Sequence, residues 1–375
     1  MSDARIAELR GRLKEAREAY YNLSPAMSDQ EYDALKDELA ALSPDDAEVT
    51  AVGADPIKVS VWEKVEHEIP MGSLSKVNEE EEFRQWATGT GAGSFLITHK
   101  IDGSSLEVIY EGGRLLRCVT RGNGKVGEDV TRNASQIPTI PGTIPITHER
   151  VVVRGEVMMM KQVFQDHYAD QYANPRNTAA GKIRELKGGG ADCRNLSFLA
   201  FTLMSPSAPG KEHVRFAALK KMGFETPWWE LANGTAEVVR AHTVVDEGRE
   251  AIPYEIDGTV VRVDDMTLQA ELGDLNMRPR GQMAWKFDPA MGVTKVLDVK
   301  WQVGPTGRVT PVAVLEPVEV GGVTIVNVSL HNLSMFKDLG LWAGCEVLIS
   351  RRNDVIPYVE RNLSREKDQD SDSAA

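Results

Sequence analysis

Apolar positions Ile6, Leu9, Leu13, Ala16 and Tyr20 recur at helical spacing and predict an amphipathic helix over residues 3 to 22. A second helix starts at Ser28, which can cap it while Glu31 reaches back in a capping box; Leu35, Leu39 and Leu42 form its stripe, and Ser43-Pro44 stops it. Residues 44 to 66 read as a polar linker. From about 67 to 292 the period changes. Short apolar runs such as Phe95-Leu96-Ile97 and Leu106 to Tyr110 alternate with turns, with occasional helices at 79 to 86 and 213 to 222. That mixture predicts an antiparallel α+β domain rather than alternating βαβ units. From about 293, five short β-rich runs (296–303, 309–315, 323–330, 346–350 and 355–359) suit a small barrel of the OB type. Residues 363 to 375 are polar and acidic, as expected of a disordered tail.

Composition narrows this picture. With 375 residues, 42% apolar and 26% charged, the chain has room for two or three domains with their own cores. No apolar run approaches membrane-spanning length, and the N-terminus is charged without an apolar signal core, so a cytoplasmic address is expected. Cys118, Cys193 and Cys345 are scattered without a Cys-x-x-Cys, which argues against a disulfide framework and a structural zinc site. The formal charge of -13 argues against tight unspecific binding of nucleic acid, yet Arg176, Lys182, Arg184 and Lys187 can form a local basic face.

The candidate chemistry centres on Thr98-His99-Lys100-Ile101-Asp102-Gly103. Lys100 falls at the end of a strand, where a pocket that keeps its amine neutral would make it a nucleophile, and Asp102-Gly103 gives a tight turn with a carboxylate beside it. Arg154-Gly155-Glu156, Glu255-Ile256-Asp257-Gly258-Thr259-Val260-Val261-Arg262 and Ala284-Trp285-Lys286-Phe287 follow, each an ionisable group inside strand-like sequence. In that order they resemble the motif series of covalent nucleotidyltransferases, the lysine-nucleotide enzymes that include DNA ligases, RNA ligases and capping enzymes.

Longer segments sharpen the resemblance. Tyr20-Tyr21 with Met27 to Leu35, Pro70-Met71-Gly72-Ser73-Leu74, Thr120 to Thr131, and Asn174 to Arg184 are similar to bacterial NAD-dependent DNA ligases. So are Gln302 to Gly307, Ser329 to Asn332, and Arg351 ahead of Asp354-Val355-Ile356-Pro357. The resemblance implies a multidomain α+β architecture: a helical NMN-binding domain (1–66), a nucleotidyltransferase or adenylation domain (67–292), an OB-fold domain (293–362) and the tail (363–375). It implies that Tyr20, Tyr21, Asp29, Tyr32 and Asp33 hold the nicotinamide mononucleotide (NMN) half of NAD, aromatic faces suiting a cationic ring. Ser73 and Leu74 would line the adenosine site, Arg121 would bind the nucleotide, and Glu156 would hold a ribose hydroxyl. Asp102 belongs to the lysine motif, Asp257 would steady Lys100 or a magnesium ion, Lys286 would hold the α-phosphate, and Arg249 and Arg262 fall on family cations. Arg176, Arg184, Arg280, Thr306 and Arg351 would meet DNA, with Arg176 and Arg184 contacting phosphates of the adenylate or of the nicked strand.

Departures are equally visible. Thr98 replaces a glutamate that helps select adenine, Arg262 replaces a lysine, Gly281 a tryptophan, and Pro305 an arginine used on DNA. The resemblance covers roughly residues 15 to 360 and stops before the zinc, helix-hairpin-helix and BRCT modules of typical relatives, which points to a compact form. It implies an enzyme that uses NAD and magnesium to seal nicks in duplex DNA as a monomer, through a lysine-AMP intermediate. A weak or inactive nick-binding paralogue and an ATP-dependent RNA ligase are the alternatives.

Overall fold

The structure, a computed structural model, describes residues 2–22, 29–44, 46–50, 62–172, 174–288, 290–303, 309–320, 323–330, 333–352 and 356–365. For 2–4, 18–22, 29–31, 33–34, 50, 290, 303, 323, 351–352 and 356 the backbone alone is described. Helices Ser2–Asn22 and Asp29–Leu42 pack through Leu9, Leu13, Leu35 and Leu39, while Leu42, which the periodicity also marks, lies exposed at the end of the second helix. Arg5 clamps the pair by a twin hydrogen bond to Glu38, at 2.7 Å to each carboxylate oxygen.

Two mainly antiparallel sheets build the middle of the chain. One has the order Ser75–Val77, Gln282–Lys286, Ile256–Val263, Phe95–Ile101, Trp229–Ala232. The other runs Arg114–Thr120, Ser104–Glu111, Val151–Met158, Ser197–Met204. One face of the first is buried under Phe83, Ala87, Val238 and Ala241 from helices Glu80–Thr90 and Thr235–Gly248. One face of the second is buried in the largest core, around Val108, Tyr110, Val153 and Phe198. The opposite faces carry the polar groups, because alternation sends Thr98 and Lys100, and likewise Arg154 and Glu156, away from those cores.

Asp102-Gly103 carries the chain from one sheet into the other, since Phe95–Ile101 pairs with Ile256–Val263 and Trp229–Ala232 while Ser104–Glu111 pairs with Arg114–Thr120 and Val151–Met158. Three expectations are corrected here. Ser75–Val77 pairs in parallel with Gln282–Lys286, so the domain is not wholly antiparallel. The linker holds a short helix, Ala47–Thr50, and a strand, Lys64–Glu66, paired with Val126–Glu128. The helix opening at Glu79 runs past residue 86 to Thr90, where Gly91 adopts φ 68° and ends it.

From Asp288 the chain forms a second compact unit. Its sheet has the order Val323–Ser329, Val309–Val320, Ala290–Val303, Glu346–Arg352, Ile356–Asn362, and the two edge strands come together as in a small barrel. Ala290–Val303 serves both halves, pairing with Glu346–Arg352 early and Val309–Val320 late, with a bulge between Val296 and Asp298 where it bends. Val296, Leu315, Val328, Val347 and Ile349 fill the interior.

Candidate active site

Lys100 is the penultimate residue of Phe95–Ile101, and the neighbouring strand brings Asp257 to it. The ladder is irregular between Ile256 and Gly258, which turns the Asp257 side chain to the Lys100 face. Gly258 makes the approach possible, since a Cβ there would lie 2.2 Å from the Trp285 carbonyl oxygen. The Asp257 carboxylate accepts from Lys100 Nζ at 2.6 and 2.7 Å, and Lys286 Nζ stands 3.8 Å from Asp257 Oδ2. Burial alone would push the Asp257 carboxyl up. The Lys100 and Lys286 ammoniums and the Arg176 guanidinium outweigh it and hold that carboxyl below the usual range.

The second sheet supplies the other wall. Gly103 crosses against Val151–Met158, where a Cβ would meet the Val157 carbonyl at 2.4 Å, and two residues on Ser105 donates to Glu156 Oε2 at 2.9 Å. Burial pushes the Glu156 carboxyl up to about 7, although the Ser105 hydroxyl, Arg121 and Lys100 all favour its anion. Asp102 meets Arg176 Nη1 at 2.5 Å. Arg176 opens helix Pro175–Ile183, whose cap is set by Asn174 accepting from the Asn177 amide at 2.7 Å and by proline at the first position. Burial lowers the Arg176 guanidinium to about 10, which leaves it cationic at neutral pH.

Lys100, Asp102, Asp257, Lys286, Glu156, Arg121 and Arg176 are thus brought together. The segment bearing Ser73 and Leu74 is anchored nearby: Met71 donates its amide to Gly124 of the glycine-rich loop, and Arg154 donates to the carbonyls of Ile69 and Pro70. Arg249 lies over the Phe287 ring at 5.5 Å, one residue past Lys286. Arg184 is engaged by Glu128 at 3.1 Å, and Arg280 Nη1 reaches the Leu272 carbonyl at 3.5 Å. Arg262 is buried and donates to Thr98 Oγ1 at 3.1 Å. Tyr32 packs half-buried on the N-terminal helix core with Lys36 over its ring. The side chains of Tyr20, Tyr21, Asp29, Asp33 and Arg351, and all of Thr306, lie outside the described residues. Sequence reasoning missed Ser105; its place directly after the lysine motif was the available signal. A cavity of about 300 Å³ elsewhere, lined by Arg117, Arg150 and Glu68 among others, does not include Lys100.

A half-buried lysine amine on a carboxylate that a second ammonium also approaches, with further cations around it, suits transfer of a phosphoryl-linked group. The profile of the NAD-dependent DNA ligase adenylation domain matches residues 59–290, more than half the chain. The chain belongs to the NAD-dependent DNA ligase family. That family's OB-fold domain matches residues 293–371, and the DNA ligase-like N-terminal NAD+-binding domain matches residues 1–52. A DNA ligase of Sorangium cellulosum is 42% identical over 96% of this chain and 57% of its own length. Those of Halothermothrix orenii and Psychrobacter cryohalolentis are each 36% identical, over 97% and 99% of this chain and 57% and 58% of theirs. The chain therefore spans somewhat more than half the length of these ligases. In this family member no helix of the described residues is long and apolar enough to cross a membrane.

Proposed function

We propose that the chain is an NAD-dependent DNA ligase in which Lys100 becomes covalently adenylated, the observation that carries it being the Lys100 Nζ to Asp257 contact with Lys286 and Glu156 around it. The Lys100 amine, once it has given up its proton, attacks the α-phosphorus of NAD. A phosphorus–nitrogen bond forms, the bond to the bridging oxygen breaks, and NMN leaves with that oxygen. The AMP then passes to a 5′-phosphate at a nick, and the adjacent 3′-hydroxyl displaces it to close the strand. Lys286 and Arg176 stabilise charge on the transferring phosphoryl group, Asp257 orients the Lys100 amine, and Glu156 with Ser105 holds a ribose hydroxyl.

The N-terminal helices, bearing Tyr20, Tyr21, Asp29, Tyr32 and Asp33, would grip the NMN half, which is what makes NAD rather than ATP the donor. The domain limits 1–66, 67–292 and 293–362 follow this division of labour. Arg184, Arg280, Thr306 and Arg351 would serve the nicked duplex. Asp257 is the carboxylate that would reach a magnesium ion, whose charge would offset that of the phosphates.

Intact mass after incubation with NAD and magnesium tests the reading. The chain gains one adenylate, Lys100→Ala gains none, and ATP does not substitute. An unmodified wild type, or a modified Lys100→Ala, overturns it.

A further inference from the structure

Leu106 and Val108 enter the core under the second sheet, so Ser105 and Glu107 share its other face, and the next strand sets Glu156 and Arg154 directly across from them. The Glu107–Arg154 pair is thus one step along the strand, about 7 Å, from the Ser105–Glu156 pair. Arg154 gives Glu107 Oε2 two bonds, at 2.8 and 2.7 Å, and the other carboxylate oxygen faces His67 Nδ1 at 3.0 Å.

His67 has no exposed side-chain surface, and its Nε2 lies 3.1 Å from the Thr120 carbonyl oxygen and 3.2 Å from that of Arg121. Burial would raise the Glu107 carboxyl, yet the His67 hydrogen bond and the Arg154 guanidinium outweigh it and hold that carboxyl below the usual range. Glu107 therefore accepts, as the carbonyls must. A bare ring nitrogen on either side would set a buried lone pair against an oxygen, so the full set of bonds takes a proton on each nitrogen, one given to Glu107 and one to the carbonyls.

The backbone of His67 grips the other arm of the same loop. Its amide donates to the Lys125 carbonyl at 2.8 Å, Lys64–Glu66 just before it pairs with Val126–Glu128, and Met71 farther along donates to Gly124 at 2.8 Å. One residue thus ties the outgoing arm, where Arg121 begins, to the returning arm, and ties both to the strap that runs on to Ser73 and Leu74. The loop between needs such a tie. Gly122 and Gly124 turn it through φ of 56° and 86°, and glycine permits that conformation without holding it. The Arg121 charge acts on Glu156 from this loop, so a shift of the loop moves a cation at the ribose anchor.

We propose that His67 is a positioning residue for the nucleotide: its two ring bonds set the Arg121 end of the glycine-rich loop and the strap leading to Ser73 and Leu74, so that NAD meets a preformed wall of the cleft. This rests on the reading of Lys100 given above. Lys100 and Asp257 stand on the other sheet, so the loss of His67 weakens capture of NAD and leaves the chemical step nearly as fast.

The test follows NMN release by the full chain as NAD is varied, comparing wild type with His67→Phe, which keeps a ring and loses both donors. KM rises about tenfold or more while kcat stays within about threefold. His67→Gln, whose amide gives N–H bonds to one side only, falls between the two proteins. A His67→Phe chain that is folded by circular dichroism and keeps KM within about threefold overturns the proposal, however far its thermal midpoint falls, and so does a loss of kcat with KM unchanged. Should His67→Phe fail to fold, His67→Gln carries the comparison against the same threefold limit. Calorimetry in the Lys100→Ala background separates the two readings, since adding His67→Phe there weakens the Kd for NAD by the same factor without any turnover. If wild type binds NAD and releases no NMN, the role of Lys100 fails and that Kd decides the role of His67; if NAD does not bind at all, both fail.

Discussion

Glu156 shows how much a single buried carboxyl can report. Its ordinary value is 4.5 and burial raises it to about 7 in the folded chain. Between those two values the unfolded chain releases the proton while the folded chain keeps it, so the folded state binds more protons and stability falls as pH rises across the window. The gap of about 2.5 corresponds to about 3 kcal/mol lost between pH 4.5 and 7 and constant above it. Glu156→Gln lacks that loss. Denaturant unfolding of both proteins from pH 4.5 to 8 should show the variant gaining on the wild type as pH rises, and a constant difference would refute the assignment. Lys100, Asp257 and Lys286 were legible in the chain because each sits in a motif with strand-like flanks. The Arg262 to Thr98 bond was not, since its partners are 164 residues apart and meet through strand pairing that no local pattern encodes.

Among the elements, helix Pro175–Ile183 has the most direct bearing on chemistry, because its first turn aims Arg176 at Asp102. Asn174 fixes that turn by accepting from the Asn177 amide. Asn174→Ala should cost about 1 kcal/mol of stability and slow NMN release from NAD more than a neutral surface change does. Thermal unfolding and initial rates check the two effects, and an unaltered rate would detach the helix start from the reaction. Element existence followed from periodicity, as in Ser2–Asn22 and Glu80–Thr90, while extents depended on partners. Lys64–Glu66 has three residues and no alternation to see; it is a strand only because Val126–Glu128 pairs with it. The barrel strands ran longer than their apolar runs suggested, since Val309–Val320 goes on pairing with Val323–Ser329 beyond Leu315.

At the scale of the whole molecule the chain has two compact units with separate cores, one gathered around Val108, Tyr110 and Phe198 and the other around Val296, Leu315 and Val347. Separate cores predict separable unfolding. Leu315 is 1% exposed, so Leu315→Ala should remove about 2–5 kcal/mol from the barrel alone. Calorimetry would show one transition moving down and the other staying, whereas a joint shift would mean that the two units melt as one. This division was legible in outline, from the change to short β-rich runs near residue 293, with Ala290–Val303 beginning slightly earlier.

The passage of the chain at Asp102-Gly103 from one sheet to the other has a mechanical meaning. Lys100 and Asp257 belong to one plate, Ser105 and Glu156 to its neighbour, and a single glycine step is the shortest tether between them. Any breathing of the two plates therefore changes the gap between the Lys100 amine and the Glu156 carboxyl directly, so whatever draws the plates together also sets the width of the cleft between them.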